Sequence, residues 1–194
     1  MSNAQNVTAG KPKIGGAIFR APLGTPVPGS ATASLNSAFK QLGYVTEDGV
    51  TNSNSPSSEN VKAWGGDIVM TSQTEKPDTF QFSLMEAMNA EVLKAVYGDT
   101  NVTVDNITGE ITVHANSTQQ PNCAWVIDMV LNGGGAKRIV IPDAGVSAVG
   151  DVVYKDGGAV TYQTTIAAMP DSNGDTHFEY IKPVISSSIL PTGG

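Results

Sequence analysis

DIVMTSQTEKPDTFQFSLME, residues 67–86, is the stretch on which the reading of the fold turns. Ile68, Met70 and Ser72 alternate with Asp67, Val69, Thr71 and Gln73. After TEKPD, Phe80, Phe82 and Leu84 alternate with Thr79, Gln81 and Ser83. Period two predicts a long antiparallel hairpin over 67–84, with one face on the core and one face wet. Pro77 falls at its tip, where the missing N–H does little harm. From Leu84 the period lengthens. Leu84, Met88, Val92 and Val96 recur four apart, which predicts one helix over about 84–97, with Lys94 near its end and Gly98 as its C-terminal cap.

Working outward, the segments after Gly98 are strand-like. NITGEITVHAN, CAWVIDMVL, AKRIVIPDA, AVTYQTTIAAM and THFEYIKPV are separated by Gly- or Asp-rich turns. Upstream, Leu42, Tyr44 and Val45 predict a strand ending at Asp48-Gly49. VTNSNSPSSEN, residues 50–60, reads as a long polar loop, the kind that is often functional. Residues 1–33 mix Gly and Pro with isolated apolar anchors, Ile14, Ile18, Phe19 and Leu23. That pattern predicts an extended arm docked on its own body or on a neighbour. ISSSILPTGG at the other end has the same character. The expected fold is therefore mainly β with one α-helix, a two-sheet sandwich or barrel. The expected divisions are an N-terminal arm (1–33), a β domain (34–182) and a C-terminal arm (183–194).

Composition excludes more than it selects. The chain has 194 residues, a net charge of −7 and a pI near 4.6. Residues 1–60 carry four bases against three acids, so the remaining 134 residues hold seven bases against fifteen acids. Such a body lacks the clustered Lys and Arg of a phosphate-binding surface. Cys123 is the only cysteine, so no internal disulfide forms. MSNAQNVTAGKPK has no apolar signal core, and CAWVIDMVL is too short to span a membrane. His114 and His177 stand in separate strands without a spaced metal partner. Asp171, Asn173 and Asp175 begin like a calcium loop, but Thr176 and Lys182 stand where the loop needs Gly and Glu. No nucleophile elbow or phosphate loop is present. No catalytic, cofactor-binding or metal-binding residue is expected.

GKPKIGGAIFRAPLGTPVP, AFKQLGYVTEDGVTNSNS, VKAWGGD and TFQFSLMEAMNAEVLKAVYG, in that order, resemble the major tail (tail tube) proteins of phages with long, non-contractile tails, closest to those of Gram-positive hosts. The resemblance covers residues 11–100; beyond them only the strand rhythm agrees. It implies two packed sheets flanked by a helix, six copies closing a ring through their sheet edges, and rings stacked into a hollow tube that DNA passes. It also implies arms and a long loop that touch neighbouring rings. The implied partners are other copies of the chain and tape-measure, tail-tip and tail-terminator proteins, in a virion component made in the host cytoplasm. On that basis the candidate assembly residues are Lys11, Pro12, Ile14, Phe19 and Leu23 in the arm, Thr51, Asn52 and Asn54 in the loop, and Glu75 and Lys76 at the hairpin tip. The Thr/Gln/Ser face of 67–84 is expected to line the channel, or else to meet another subunit. Two other readings stay open: a secreted or surface β-sandwich adhesion module, and a small hydrolase using Cys123 or an Asp/His cluster.

Overall fold

The computed structural model describes residues 7–13 and 16–184. Among these residues thirteen strands and one α-helix follow one another as β1 (Gly10–Pro12), β2 (Ile18–Pro22), β3 (Lys40–Gln41), β4 (Val45–Ser53), β5 (Ser57–Lys62), β6 (Ile68–Glu75), β7 (Thr79–Leu84), α1 (Ala90–Tyr97), β8 (Val102–Val104), β9 (Ile111–Val113), β10 (Cys123–Leu131), β11 (Ala136–Val149), β12 (Tyr162–Ala168) and β13 (Phe178–Lys182). All pairings are antiparallel. A nine-stranded sheet runs β3-β2-β10-β11-β12-β7-β4, with β1 added to β10 and β13 to β11; β5-β6 and β8-β9 are separate ribbons.

β11 organises the sheet because it is long enough to change partners. Residues 136–140 pair with β13, and residues from 144 onward pair with β12, past an irregularity between Val146 and Ala148. β10 is buried on both faces, which is why CAWVID reads as one apolar run. Trp125 and Ile127 point into the main core with Phe80, Phe82, Leu84, Ile141, Ile166 and the α1 residues Val92 and Val96. Ala124 and Val126 point the other way, into a smaller core with Ala21, Phe39 and Val140 that Phe19, Leu35, Phe178 and Tyr180 partly cover. Trp125 Nε1 donates to the Ala144 carbonyl at 3.2 Å, so the largest core side chain is also polar-satisfied.

The fold is thus mainly β with one α-helix, as the alternation implied, but several local expectations need correction. β6 does not pair with β7. It pairs with β5, in the register Val61↔Met70 and Asn60↔Thr71, while β7 lies between β12 and β4. Alternation identifies a strand but not its neighbour, and the polar run SSENVK is β6's partner although it looked like loop. Residues 50–60 are therefore the end of β4, a short connection and most of β5. The strand expected to stop at Asp48-Gly49 continues through a register shift between Val45 and Val50, with Gly49 at φ 70°.

Helix α1 begins at Ala90, not Leu84. Leu84 stays in β7, opposite Tyr162 and Val45, and Met88 is exposed, so their four-residue spacing is coincidental. Asn89 caps the helix: its Oδ1 accepts from the Glu91 N–H at 3.0 Å. Gly98 ends it at φ 99°, its N–H reaching the Lys94 carbonyl, as expected. Asn89→Ala is expected to cost about 1 kcal/mol, a melting shift of roughly 2–4 °C readable by circular dichroism.

The stretch read as an N-terminal arm is built into the body over part of its length. β2 is a full member of the large sheet, with Ile18 and Ala21 buried. Residues 23–39 cross the smaller core as a strap. Arg138 holds that strap, its Nη1 donating to the carbonyls of Ser30 (3.1 Å) and Ala33 (2.6 Å). Of the expected C-terminal arm only Pro183 and Val184 fall among the described residues.

Candidate assembly surfaces

The residues singled out for assembly fall into separate places. Lys11 and Pro12 sit on β1 at the margin of β10, exposed. Ile14 lies outside the described residues. Phe19 is half-buried on the smaller core and Leu23 is exposed just after β2. Thr51, Asn52, Asn54, Glu75 and Lys76 are brought together. Ser53 pairs with Thr79 and Ser57 with Glu75, so Asn54 and Lys76 lie in the two short connections between the sheet and the β5-β6 ribbon. These five residues mark the root of a projecting hairpin and not its tip. Asn54 Oδ1 is buried there, with no hydrogen-bond partner among the described residues.

One carboxylate fastens that root. Asp78 is buried. Its Oδ1 accepts from Asn52 Nδ2 at 2.7 Å, and its Oδ2 accepts from Thr176 Oγ1 at 2.6 Å and contacts His177 Nδ1 at 2.5 Å. The His177 ring also stands edge-on to Phe80. β4, the start of β7 and the turn before β13 thus meet on one side chain. Burial pushes the Asp78 carboxyl up, but the hydrogen bonds from Thr176, Asn52 and His177, and the charge of His177, outweigh it and hold it below the usual carboxylate range. A carboxyl with a depressed folded value adds stability that is present above its ordinary value of about 3.9 and is lost as pH falls through the folded value. Asp78→Asn is expected to lower the urea midpoint at pH 6. The gap to the parent should narrow steadily below about pH 4, in denaturation curves taken from pH 6 to 2.5.

Beyond the root, β5 and β6 pair only with each other among the described residues. Every residue of β5 and β6 is exposed, including Ile68 (57%), Val69 (63%) and Met70 (55%). The turn between them carries Trp64, fully exposed, followed by Gly65 and Gly66 at positive φ. An isolated two-stranded ribbon is at best marginally stable in water, so one with bare apolar residues on view needs a covering surface. Sequence reasoning did not single out Trp64, although VKAWGGD sets a large aromatic against a paired-glycine turn. β4 adds a second incomplete surface, since among the described residues it pairs with β7 on one side only. Such a margin presents unpaired backbone groups.

The interior offers no comparable chemistry. Cys123 is buried and accepts from Arg20 Nε at 3.2 Å, and Arg20 also pairs with Asp99 through both terminal nitrogens, at 3.2 and 2.5 Å. Asp171 is turned inward on its own loop, accepting the N–H groups of Asn173 and Asp175. Among the described residues, no three His, Cys, Asp or Glu side chains are grouped to hold a metal ion, and no helix is long and apolar enough to cross a membrane.

Among curated proteins, none matches the chain. Against known families, residues 1–189 match the one described as phage tail tube protein, a span that covers nearly the whole chain. A β-rich subunit with an unpartnered ribbon and an open strand margin accords with a part that is completed by its neighbours, and the chain belongs to the phage tail tube protein family.

Proposed function

We propose that the chain forms hexameric rings that stack into the hollow tube of a long, non-contractile phage tail, through which DNA passes. The phage family closest to it would be that infecting Gram-positive hosts. Family membership supports a structural, non-catalytic role in the virion tail. The single observation that carries the assembly reading is the β5-β6 ribbon, whose every residue is exposed and whose Val61, Trp64, Ile68, Val69 and Met70 have no cover among the described residues. Closed rings also remove open strand margins such as that of β4. A net charge of −7 favours a lumen that repels phosphate, so that DNA slides past without binding. In this reading Thr51, Asn52, Asn54, Glu75 and Lys76 fix the angle at which the ribbon leaves the ring. Tape-measure, tail-tip and tail-terminator proteins, in a particle assembled in the host cytoplasm, would set tube length and ends. Negative-stain microscopy of the concentrated chain, alone and with tail-tip complex added, tests the proposal. Rings or tubes are the expected result. A chain that stays solitary in both conditions contradicts it, and favours the adhesion-module reading instead.

A further inference from the structure

We propose that residues 185–190, ISSSIL, fold back on their own chain as a further strand along the free margin of β13, filling the groove between that strand and the strap. The proposal stands apart from the tube reading, because it concerns the single subunit before any neighbour meets it.

Among the described residues β13 pairs with β11 alone, so its other margin is open. Beside it lies a cavity of about 750 Å³, walled by Ser30 and Thr32 of the strap and by Tyr180 and Val184 of the chain running out of β13. Reach is the first argument for its occupant. Val184 is itself part of the wall, so residue 185 starts at the groove. Six residues of extended chain span about 20 Å, enough to run back along the five residues of β13. The turn is the second. Four-residue hairpin loops are mostly built on a type I turn, which favours proline at its second position. Pro183 stands at that position, directly after Lys182, if the loop is 183–186.

The third argument is the pattern of apolar residues. That loop sets Ser187 opposite Lys182, Ser188 opposite Ile181, Ile189 opposite Tyr180 and Leu190 opposite Glu179, and opposed residues share a face. Phe178 and Tyr180 stack on one another over the smaller core, which they cover only in part. Ile189 falls on that core face. Ser188 falls on the outer face, where Leu190 stands diagonal to Ile181, an apolar side chain 57% exposed. Pro191 then ends the strand. A strand from elsewhere would have to match this alternation and displace a segment already tethered at the groove, whose effective concentration is high. Docked there, residues 185–190 complete the smaller core and remove an open strand margin.

Ile189→Asp and Ser188→Asp, each in the full chain, test this by amide exchange in dilute subunits. Ile189→Asp sets a charge against Tyr180 and should speed exchange over residues 178–190 at least about tenfold; Ser188→Asp, on the outer face, should leave it unchanged. A pair of cysteines gives a second reading, which decides the matter if Ile189→Asp does not fold. Ile181→Cys with Ser188→Cys places two thiols directly opposite each other, while the native Cys123 is buried. In dilute subunits that pair should close within one chain at least about tenfold faster than Ile181→Cys with Ser187→Cys, whose second thiol belongs to the other face. Equal exchange in the two aspartate variants, equal closure of the two cysteine pairs, or disulfides that join separate chains overturn the proposal. None of these measurements requires tubes, so the tube reading stands or falls separately.

Discussion

Replacing residues 57–75 with a short Gly-rich turn is expected to leave a folded subunit that no longer makes tubes. Among the described residues β5 and β6 pair with each other and with no other strand, and none of their residues is buried. Their removal therefore takes nothing from either core, and the melting temperature should stay within about 2 °C of the parent, as for surface changes that cost under about 0.5 kcal/mol. Assembly is different. Burying a side chain the size of Ile68, Val69 or Met70 yields about 1.5–3 kcal/mol, and the loss recurs at every subunit of a ring. Trp64→Asp with Met70→Asp should reproduce most of the effect with the ribbon still present. Sedimentation and negative stain read the outcome. Tubes of normal yield from the shortened chain would show that the ribbon is not an assembly element.

The second large effect is inside the subunit. Asp128 and Arg138 face each other across β10 and β11, both buried, joined at 2.5 and 2.8 Å. Arg138 Nη1 also donates to the strap carbonyls of Ser30 and Ala33. Asp128→Ala leaves a guanidinium buried without its counter-charge, a change that typically costs about 3–5 kcal/mol. For a chain of this size that is a fall in melting temperature of roughly 6–20 °C. Removing both charges, Asp128→Leu with Arg138→Met, should recover much of the loss, because no charge is then stranded, but not the strap contacts. Circular dichroism melts of the parent and the two variants measure it. A single variant within 1 °C of the parent would mean that Arg138 finds another partner, with Lys13 left to repel it.

How much of this was legible beforehand follows from what each signal encodes. β7 and β10 were legible because alternating or continuous apolar residues report burial directly, and the Gly98 cap because a positive φ selects glycine. The partner of β6 was not, since pairing is a property of two segments and β5 is polar throughout SSEN. The start of α1 was misplaced because Leu84 and Met88 fall four apart by chance; the cap Asn89 was the better signal. The candidate residues in 51–54 and 75–76 stood out as two separate oddities, a polar run and a Pro-containing turn. Only the pairing of 53 with 79 and 57 with 75 shows that they occupy one root. Asp78 gave no sign of its role, because Thr176 and His177 lie far away along the chain, and the Asp128–Arg138 pair was missed because only the register of β10 against β11 sets the two opposite each other.

The central claim is that the subunit is finished by its neighbours: the β5-β6 ribbon and the free side of β4 gain in the tube the cover they lack alone. Amide hydrogen exchange over residues 45–75, followed in dispersed subunits and in tubes verified by microscopy, tests this most directly. The account predicts exchange slowed at least about a hundredfold in tubes across both segments, with the amides of β10 and β11 little changed. Equal rates along 45–75 in subunit and tube would contradict it.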